Sequence, residues 1–241
     1  MVSKSQIKLI RSLAQKKYRL KNAMFIVEGK KSIGEFLSSR FPLEKLFTTE
    51  DCFEAPVSKT ELISEADLKK ISQLKSPQTA LGIFKISEQQ LSNPTGLLVA
   101  LDGVRDPGNL GTIIRLCDWF GISQLICSPD TADVFNPKVV QASMGSLTRV
   151  EIVYQDLAEF IQNSDDLPVF GAFMEGENIY TKSLPAEGIL VMGNEANGIS
   201  EKIQKLVTQK VGIPRFGDSK QTESLNVATA TAILLSEFKR R

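Results

Sequence analysis

The residues best suited to chemistry in this chain lie in three polar, glycine-bearing loops: Asp102 to Asn109, Gly193 to Ser200, and Arg215 to Asn226. The first leads to Arg115, the second carries Glu195, and the third closes on Ser224-Leu225-Asn226. The 241 residues include no histidine. That removes Ser-His-Asp and Cys-His nucleophile arrangements, HExxH zinc sites and the usual general base near neutral pH. Chemistry here has to use carboxylates, hydroxyls, lysines, arginines and backbone groups, or a reactive cofactor.

Taken singly, each loop has a plainer reading. Gly103, Gly108 and Gly111 could shape a turn and let a helix pack closely, and Asn109 could be an N-cap. Gly193 and Gly198 could serve a tight turn with Glu195 solvated. Arg115, inside a helix beside Ile113, Ile114, Leu116 and Cys117, is either an edge residue or an anion ligand. Cys52, Cys117 and Cys127 are too far apart for a C-x-x-C pair, and the latter two read as small core residues. No G-x-G-x-x-G follows a strand and no G-x-x-x-x-G-K-[ST] is present, which disfavours a dinucleotide enzyme or a P-loop NTPase.

The elements that must position these loops follow from the apolar pattern. From Leu97 onward, strands alternate with helices: Leu97–Leu101, a helix from Asn109 to Phe120 closed by Gly121, Leu125–Cys127, a helix from Pro137 through Ser143, Val150–Val153, and a helix from Asp156 to Gln162. Val169–Phe173, Ile189–Met192, a short helix from Ser200 and Lys210–Ile213 come next. A final helix puts Leu225, Ala228, Ala232, Leu235 and Phe238 on one face, with Ser224 as a good N-cap and Lys239, Arg240 and Arg241 at its negative end. This alternation predicts a mostly parallel α/β sheet covered on both faces. Ligands bind beyond the carboxyl ends of strands in such sheets, and all three loops leave such ends.

The chain before Leu97 predicts a separate small α/β unit. It has helices over Ser3–Lys17 and Lys31–Ser39 and one opened by Ser64 through Ile71, with strands at Met24–Val27, Leu43–Thr48 and Thr79–Ile86. The polar stretch Ser87–Gly96, with Asn93-Pro94, marks the boundary, giving domains at 1–90 and 97–241. Net charge is +1, yet Lys4 to Lys31 holds nine basic residues against Glu28. That distribution suggests a polyanion partner; a solvated helix face is the alternative. Met1-Val2-Ser3-Lys4-Ser5 leads directly into a Lys-rich amphipathic segment and no apolar run reaches the ~20 residues that span a bilayer, so no signal peptide and a cytoplasmic location are expected.

Together the three loops resemble a known family. Arg105-Asp-Pro-Gly-Asn-Leu-Gly111 with Arg115, Val191-Met-Gly-Asn-Glu-Ala-Asn-Gly-Ile-Ser200, and Ile213-Pro214 with Ser224-Leu-Asn-Val227 are similar to the three ordered motifs of the SpoU (TrmH) RNA ribose 2′-O-methyltransferases of the SPOUT superfamily. The N-terminal unit resembles the substrate (RNA)-binding domain often attached to them. The resemblance implies a C-terminal deep trefoil knot, against the general rule that chains do not thread loops. It also implies S-adenosylmethionine without a metal, and a homodimer acting on ribosomal or transfer RNA, the former favoured. Arg115, Asn109, Glu195, Ser224 and Asn226 would be the catalytic set. Gly193, Ile213, Leu225, Met192 and Ala172 would bind the cofactor. Lys8, Arg11, Lys16, Lys17, Arg19, Lys21 and Arg105 would contact RNA. The loop from Ile213 to Leu225 is longer than the family's shorter form, with Asp218–Glu223 as added length. Rival readings are a non-catalytic RNA-binding or ribosome-assembly factor, a base-nitrogen methyltransferase and, on fold class, a dehydrogenase.

Overall fold

In the computed structural model, which describes residues 1–87, 95–164, 167–217 and 224–240, a capping box opens the chain. Ser3 Oγ accepts from the Gln6 amide at 3.2 Å, and Gln6 Oε1 accepts from the Ser3 amide at 2.7 Å, starting α1 (Lys4–Ser12). The helix expected over 3–17 is in fact two, α1 and α2 (Lys16–Asn22). Then follow β1 (Met24–Glu28), α3 (Lys30–Leu37), β2 (Leu43–Thr48), β3 (Thr60–Leu62), α4 (Glu65–Ile71) and β4 (Ala80–Lys85). Their sheet has the order β1-β4-β2-β3, with β4 antiparallel to both neighbours and β3 parallel to β2. The three-residue β3 is too short to show an alternating pattern, and the sequence reading missed it.

The second set of elements is β5 (Leu97–Asp102), α5 (Pro107–Trp119), β6 (Gln124–Cys127), α6 (Pro137–Ser143), β7 (Glu151–Tyr154), α7 (Leu157–Gln162), β8 (Val169–Asn178), β9 (Gly188–Gly193), α8 (Glu201–Gln204), β10 (Gln209–Gly212) and α9 (Val227–Lys239). The sheet order is β10-β8-β9-β5-β6-β7, and every neighbouring pair is parallel. Residues Leu97–Leu101 of β5 and Gly188–Met192 of β9 are buried along their length, as continuous apolar runs in a parallel sheet should be. Helix α9 packs along α5, and Phe238 sets its ring edge-on to Phe170 with centroids 5.0 Å apart. Between β8 and β10 the register jumps: Lys210 faces Gly171 but Val211 faces Glu177, so residues 172–176 bulge from the ladder.

The chain divides into two compact units, Met1–Gln90 with Asp133–Thr148, and Leu91–Ala132 with Arg149–Arg241. The segment carrying α6 was expected in the second domain but belongs to the first. Two of its features account for this. Phe135 enters a cluster of Phe25, Phe36, Phe41 and Phe84, lying 4.7 Å from Phe25 ring to ring. Asp133 pairs with Arg19, which is 2% exposed. Among the described residues no helix is long and apolar enough to cross a membrane.

Candidate functional site

Strands β5 and β9 lie side by side, so that Asp102 faces Gly193 where both end. The chain then turns at Gly103, whose φ of +72° favours glycine. Both polar groups of Gly103 are held from neighbouring strand ends. Its N–H donates to Ser128 Oγ at 2.9 Å, and its carbonyl accepts from Asn194 Nδ2 at 2.6 Å. Asn194 in turn orders its own loop by exchanging two backbone bonds with Gly198, each 2.9 Å, and by accepting from the amides of Ala196 and Asn197. Asp102 Oδ2 accepts from the Ser200 amide at 2.7 Å. Gly193 is pressed so closely on Gly198 that an added Cβ would stand 2.3 Å from backbone.

Asp106, not Asn109, caps α5: its Oδ1 accepts from the Asn109 amide at 2.8 Å, with Pro107 in the first turn. The Asn109 side chain is thereby released. Asn226, not Ser224, caps α9, accepting from the amides of Ala228 at 2.9 Å and Thr229 at 3.2 Å. Those two bonds occupy Asn226 Oδ1 and turn its amide nitrogen outward, where it donates to Asn109 Oδ1 at 2.8 Å. Asn109 must then present Nδ2 on its other side, where it donates to Glu195 Oε1 at 2.9 Å. A helix cap therefore fixes the direction of a hydrogen-bond chain from Asn226 through Asn109 to the Glu195 carboxylate. It links all three loops.

The remaining sequence-predicted residues are distributed as follows. Arg115 is exposed on α5, at three-residue steps from Asn109 and Thr112, and does not join that chain. Ser224 is exposed and makes no hydrogen bond among the described residues. Met192 is buried, Gly193, Ile213 and Ala172 are half-buried, and Leu225 is exposed. These positions follow or close β9, β10 and the regular part of β8, apart from Leu225 beside the α9 cap. The ends of β8 and β10 approach tightly: a Cβ on Gly176 would lie 2.3 Å from the Val211 backbone, and one on Gly212 2.8 Å from the Phe173 carbonyl oxygen. Such backbone-lined strand ends fit a ligand read through main-chain groups. The added length at Asp218–Glu223 lies outside the described residues.

In the first unit, Lys8, Lys16, Lys17 and Lys21 are exposed, and Arg11 is exposed while donating Nε to the Lys70 carbonyl at 3.1 Å. Arg19 contradicts the expectation of a phosphate contact. Its Nε and Nη2 bind Asp133, and Nη1 donates to the carbonyls of Leu13 and Ala14, each at 2.8 Å. It is a buried tie between α1, α2 and the 133–148 segment. Arg105 is exposed and pairs with Asp130 at 3.0 Å. Hydrogen bonds from Ser128 and Arg105 hold the Asp130 carboxyl below its ordinary range. Burial raises the Cys117 thiol to about 12 and also pushes Cys127 up, so both are inert core groups. Among the described residues no group of His, Cys, Asp and Glu could hold a metal ion.

Sequence reasoning missed Asp102, Asp106, Ser128, Asp130 and Asn194. Asp106 was legible, since Asp-Pro before a helix is a start signal. The others depend on which strands become neighbours.

Comparison with known proteins adds an independent line. Residues 96–236 match the profile of the SpoU rRNA Methylase family, and residues 4–82 that of the MRM3-like substrate binding domain. The chain is 27% identical to the 23S rRNA (guanosine(2553)-2′-O)-methyltransferase RlmP of Bacillus subtilis, over 97% of this chain and 96% of that one. A solved structure from Porphyromonas gingivalis, described as an RNA methyltransferase of the TrmH family, superposes with a TM-score of 0.90 at 41% identity, covering 100% and 99% of the two chains. An AdoMet-bound rRNA methyltransferase from Sinorhizobium meliloti superposes at 0.86 with 30% identity, covering 100% and 97%.

Proposed function

The chain belongs to the SpoU rRNA methylase family, and from that premise we propose that it transfers a methyl group from S-adenosylmethionine to a ribose 2′-hydroxyl of RNA, with ribosomal RNA as its substrate class. The observation that carries this reading is the chain from Asn226 through Asn109 to Glu195, which gathers three distant loops at one end of a parallel sheet. When bound, S-adenosylmethionine supplies a methyl group already activated on a sulfonium. The protein's part is to bind, to align and to help remove a proton.

Backbone groups of Gly193, Ile213 and Leu225, with Met192 and Ala172 beside them, would hold the cofactor. Asn109 is fixed on both sides by hydrogen bonds, and with Glu195, Ser224 and Asn226 it would orient the ribose and the cofactor loop. Arg115 would clamp a neighbouring phosphate and stabilise the developing alkoxide. The guanidinium offers donors and no acceptor, which suits a clamp, and the 2′-hydroxyl proton would pass to phosphate or water.

Lys8, Arg11, Lys16, Lys17 and Lys21 of the first unit would grip RNA phosphates without reading sequence, making binding steeply dependent on salt. A deep trefoil knot, a homodimer and a cytoplasmic location belong to the same proposal. The strand order β10-β8-β9-β5 and the return of α9 onto α5 support the first. Mapping 2′-O-methylation across total RNA from cells with and without the protein tests the reading, together with methyl transfer by the purified protein. Loss of one defined ribosomal mark is expected. Unchanged marks and no transfer to any RNA would overturn it.

A further inference from the structure

Arg105 and its surroundings show more construction than an exposed arginine needs. The residue is 67% exposed and its partner Asp130 53%, and a pair this open contributes little to stability. The pair is nonetheless built from the interior outward. Ser128, which is 5% exposed, follows β6, and its amide donates to the Leu101 carbonyl at 2.9 Å. Its Oγ accepts from the Gly103 amide at 2.9 Å and donates to Asp130 Oδ1 at 2.6 Å. Asp130 Oδ2 then accepts from Arg105 Nη2 at 3.0 Å. Both carboxylate oxygens are thus committed, one to the protein interior and one to the guanidinium. Gly103 must be glycine for this to close, because a Cβ there would stand 3.0 Å from Asp130 Oδ2 and its φ is +72°. Of the five N–H donors on Arg105, the described residues engage one. The side chain that carries the other four is 67% exposed and belongs to the same loop as Asn109.

We propose that Ser128 and Asp130 are positioning residues that hold the Arg105 guanidinium as a ready-aimed phosphate clamp for the RNA strand entering the site. This rests on the reading of the protein as an RNA methyltransferase and adds how one substrate contact is set. Guanidinium and phosphate pair as a planar fork, so fixing the plane in advance removes ordering cost on binding. Asp130 acts here through Arg105 and touches no reacting atom.

The sign of one substitution separates this role from plain electrostatics. Asp130→Ala removes both acceptor oxygens together with a negative charge close to where a polyanion would bind. If charge were all that mattered, RNA would bind more tightly. A positioning role predicts the reverse: an RNA KM raised about fivefold, equivalent to ~1 kcal/mol, with kcat and cofactor affinity unchanged within about twofold. Arg105→Ala should raise KM by a similar factor, and the double variant should be no worse than Arg105→Ala. Ser128→Thr, which keeps the hydroxyl, should retain RNA affinity that Ser128→Ala loses. The measurement uses the full-length protein and total ribosomal RNA with labelled methyl donor. An unchanged or lowered KM in Asp130→Ala, or additive effects in the double variant, would overturn the assignment. Absence of methyl transfer by the unsubstituted protein would instead remove the enzymatic reading on which it rests, and the assignment with it.

Discussion

Asn226 Nδ2 donates to Asn109 Oδ1 across 2.8 Å, joining residues 117 positions apart in the chain. Neither side chain is free to do otherwise. Asn226 spends its oxygen on the first turn of α9, and Asn109 spends its nitrogen on Glu195. Cap and relay are one residue's work, and suitable variants can pull the two apart.

Asn226→Asp keeps an oxygen for the Ala228 and Thr229 amides but replaces the donor to Asn109 with an acceptor. The variant is expected to melt near the parent temperature while methyl transfer falls at least ~10-fold, a loss of ~1.4 kcal/mol of transition-state stabilisation. Asn226→Ala should lose both, with about 1 kcal/mol of stability gone with the cap. Full activity in the aspartate variant would detach the relay from catalysis. Thermal denaturation and a transfer assay on the two variants read the difference.

Arg115→Ala is expected to abolish methyl transfer while leaving calorimetric binding of the methyl donor close to normal. Arg115→Lys should restore little, because an ammonium cannot reproduce the planar fork. Substantial turnover by the alanine variant would remove Arg115 from the mechanism.

Two basic residues of the first unit should behave in opposite ways. Arg19→Ala strands Asp133 and the carbonyls of Leu13 and Ala14 in a buried setting, at a cost of ~3 kcal/mol in chemical denaturation. Lys17→Ala, an exposed change, should leave stability alone, weaken RNA binding and lower the slope of log K against log salt by about 1. A stability loss with Lys17 and none with Arg19 would contradict the structure.

Burial holds the Glu28 carboxyl above its ordinary 4.5, despite hydrogen bonds from Ser72 and the Gln73 amide. The folded state therefore keeps a proton that the unfolded chain has already released. The stability this provides is complete below about pH 4.5 and is lost as pH climbs through the raised folded value. Glu28→Gln can keep both hydrogen bonds without carrying a charge. It should equal or exceed the parent in stability at pH 7, with the advantage shrinking toward pH 4. Urea midpoints of variant and parent at the two pH values check this, and a margin over the parent that is smaller at pH 7 than at pH 4 would refute it.

The centre of the second sheet was legible because β5 and β9 are continuous apolar runs. Leu97–Leu101 and Ile189–Met192 fall within β5 and β9, and Pro137 marks the start of α6 as expected. The helix starts were harder. Ser224 and Asn109 are reasonable caps by type, but Asn226 and Asp106 are the ones whose side chains reach the free amides. The relay itself could not be read from local pattern, since its bonds span 86 and 117 positions and form through the packing of α5, α9 and the β9 loop. What pointed to it was the wording of the three loops taken together. Arg19 was misread for a related reason. A basic run looks solvated until one member finds a carboxylate from more than a hundred residues away.

The Asp133–Thr148 excursion gives the molecule a property that its two profile matches, read as beads on a string, would hide. Cutting the chain in the Ser87–Gly96 stretch does not yield two self-sufficient pieces. The shorter fragment would show water the phenylalanines that Phe135 normally covers, and the longer would carry Phe135 and Asp133 with nothing to meet. Exchange of the N-terminal module between relatives, by an engineer or by recombination, would have to bring a matching α6 with it.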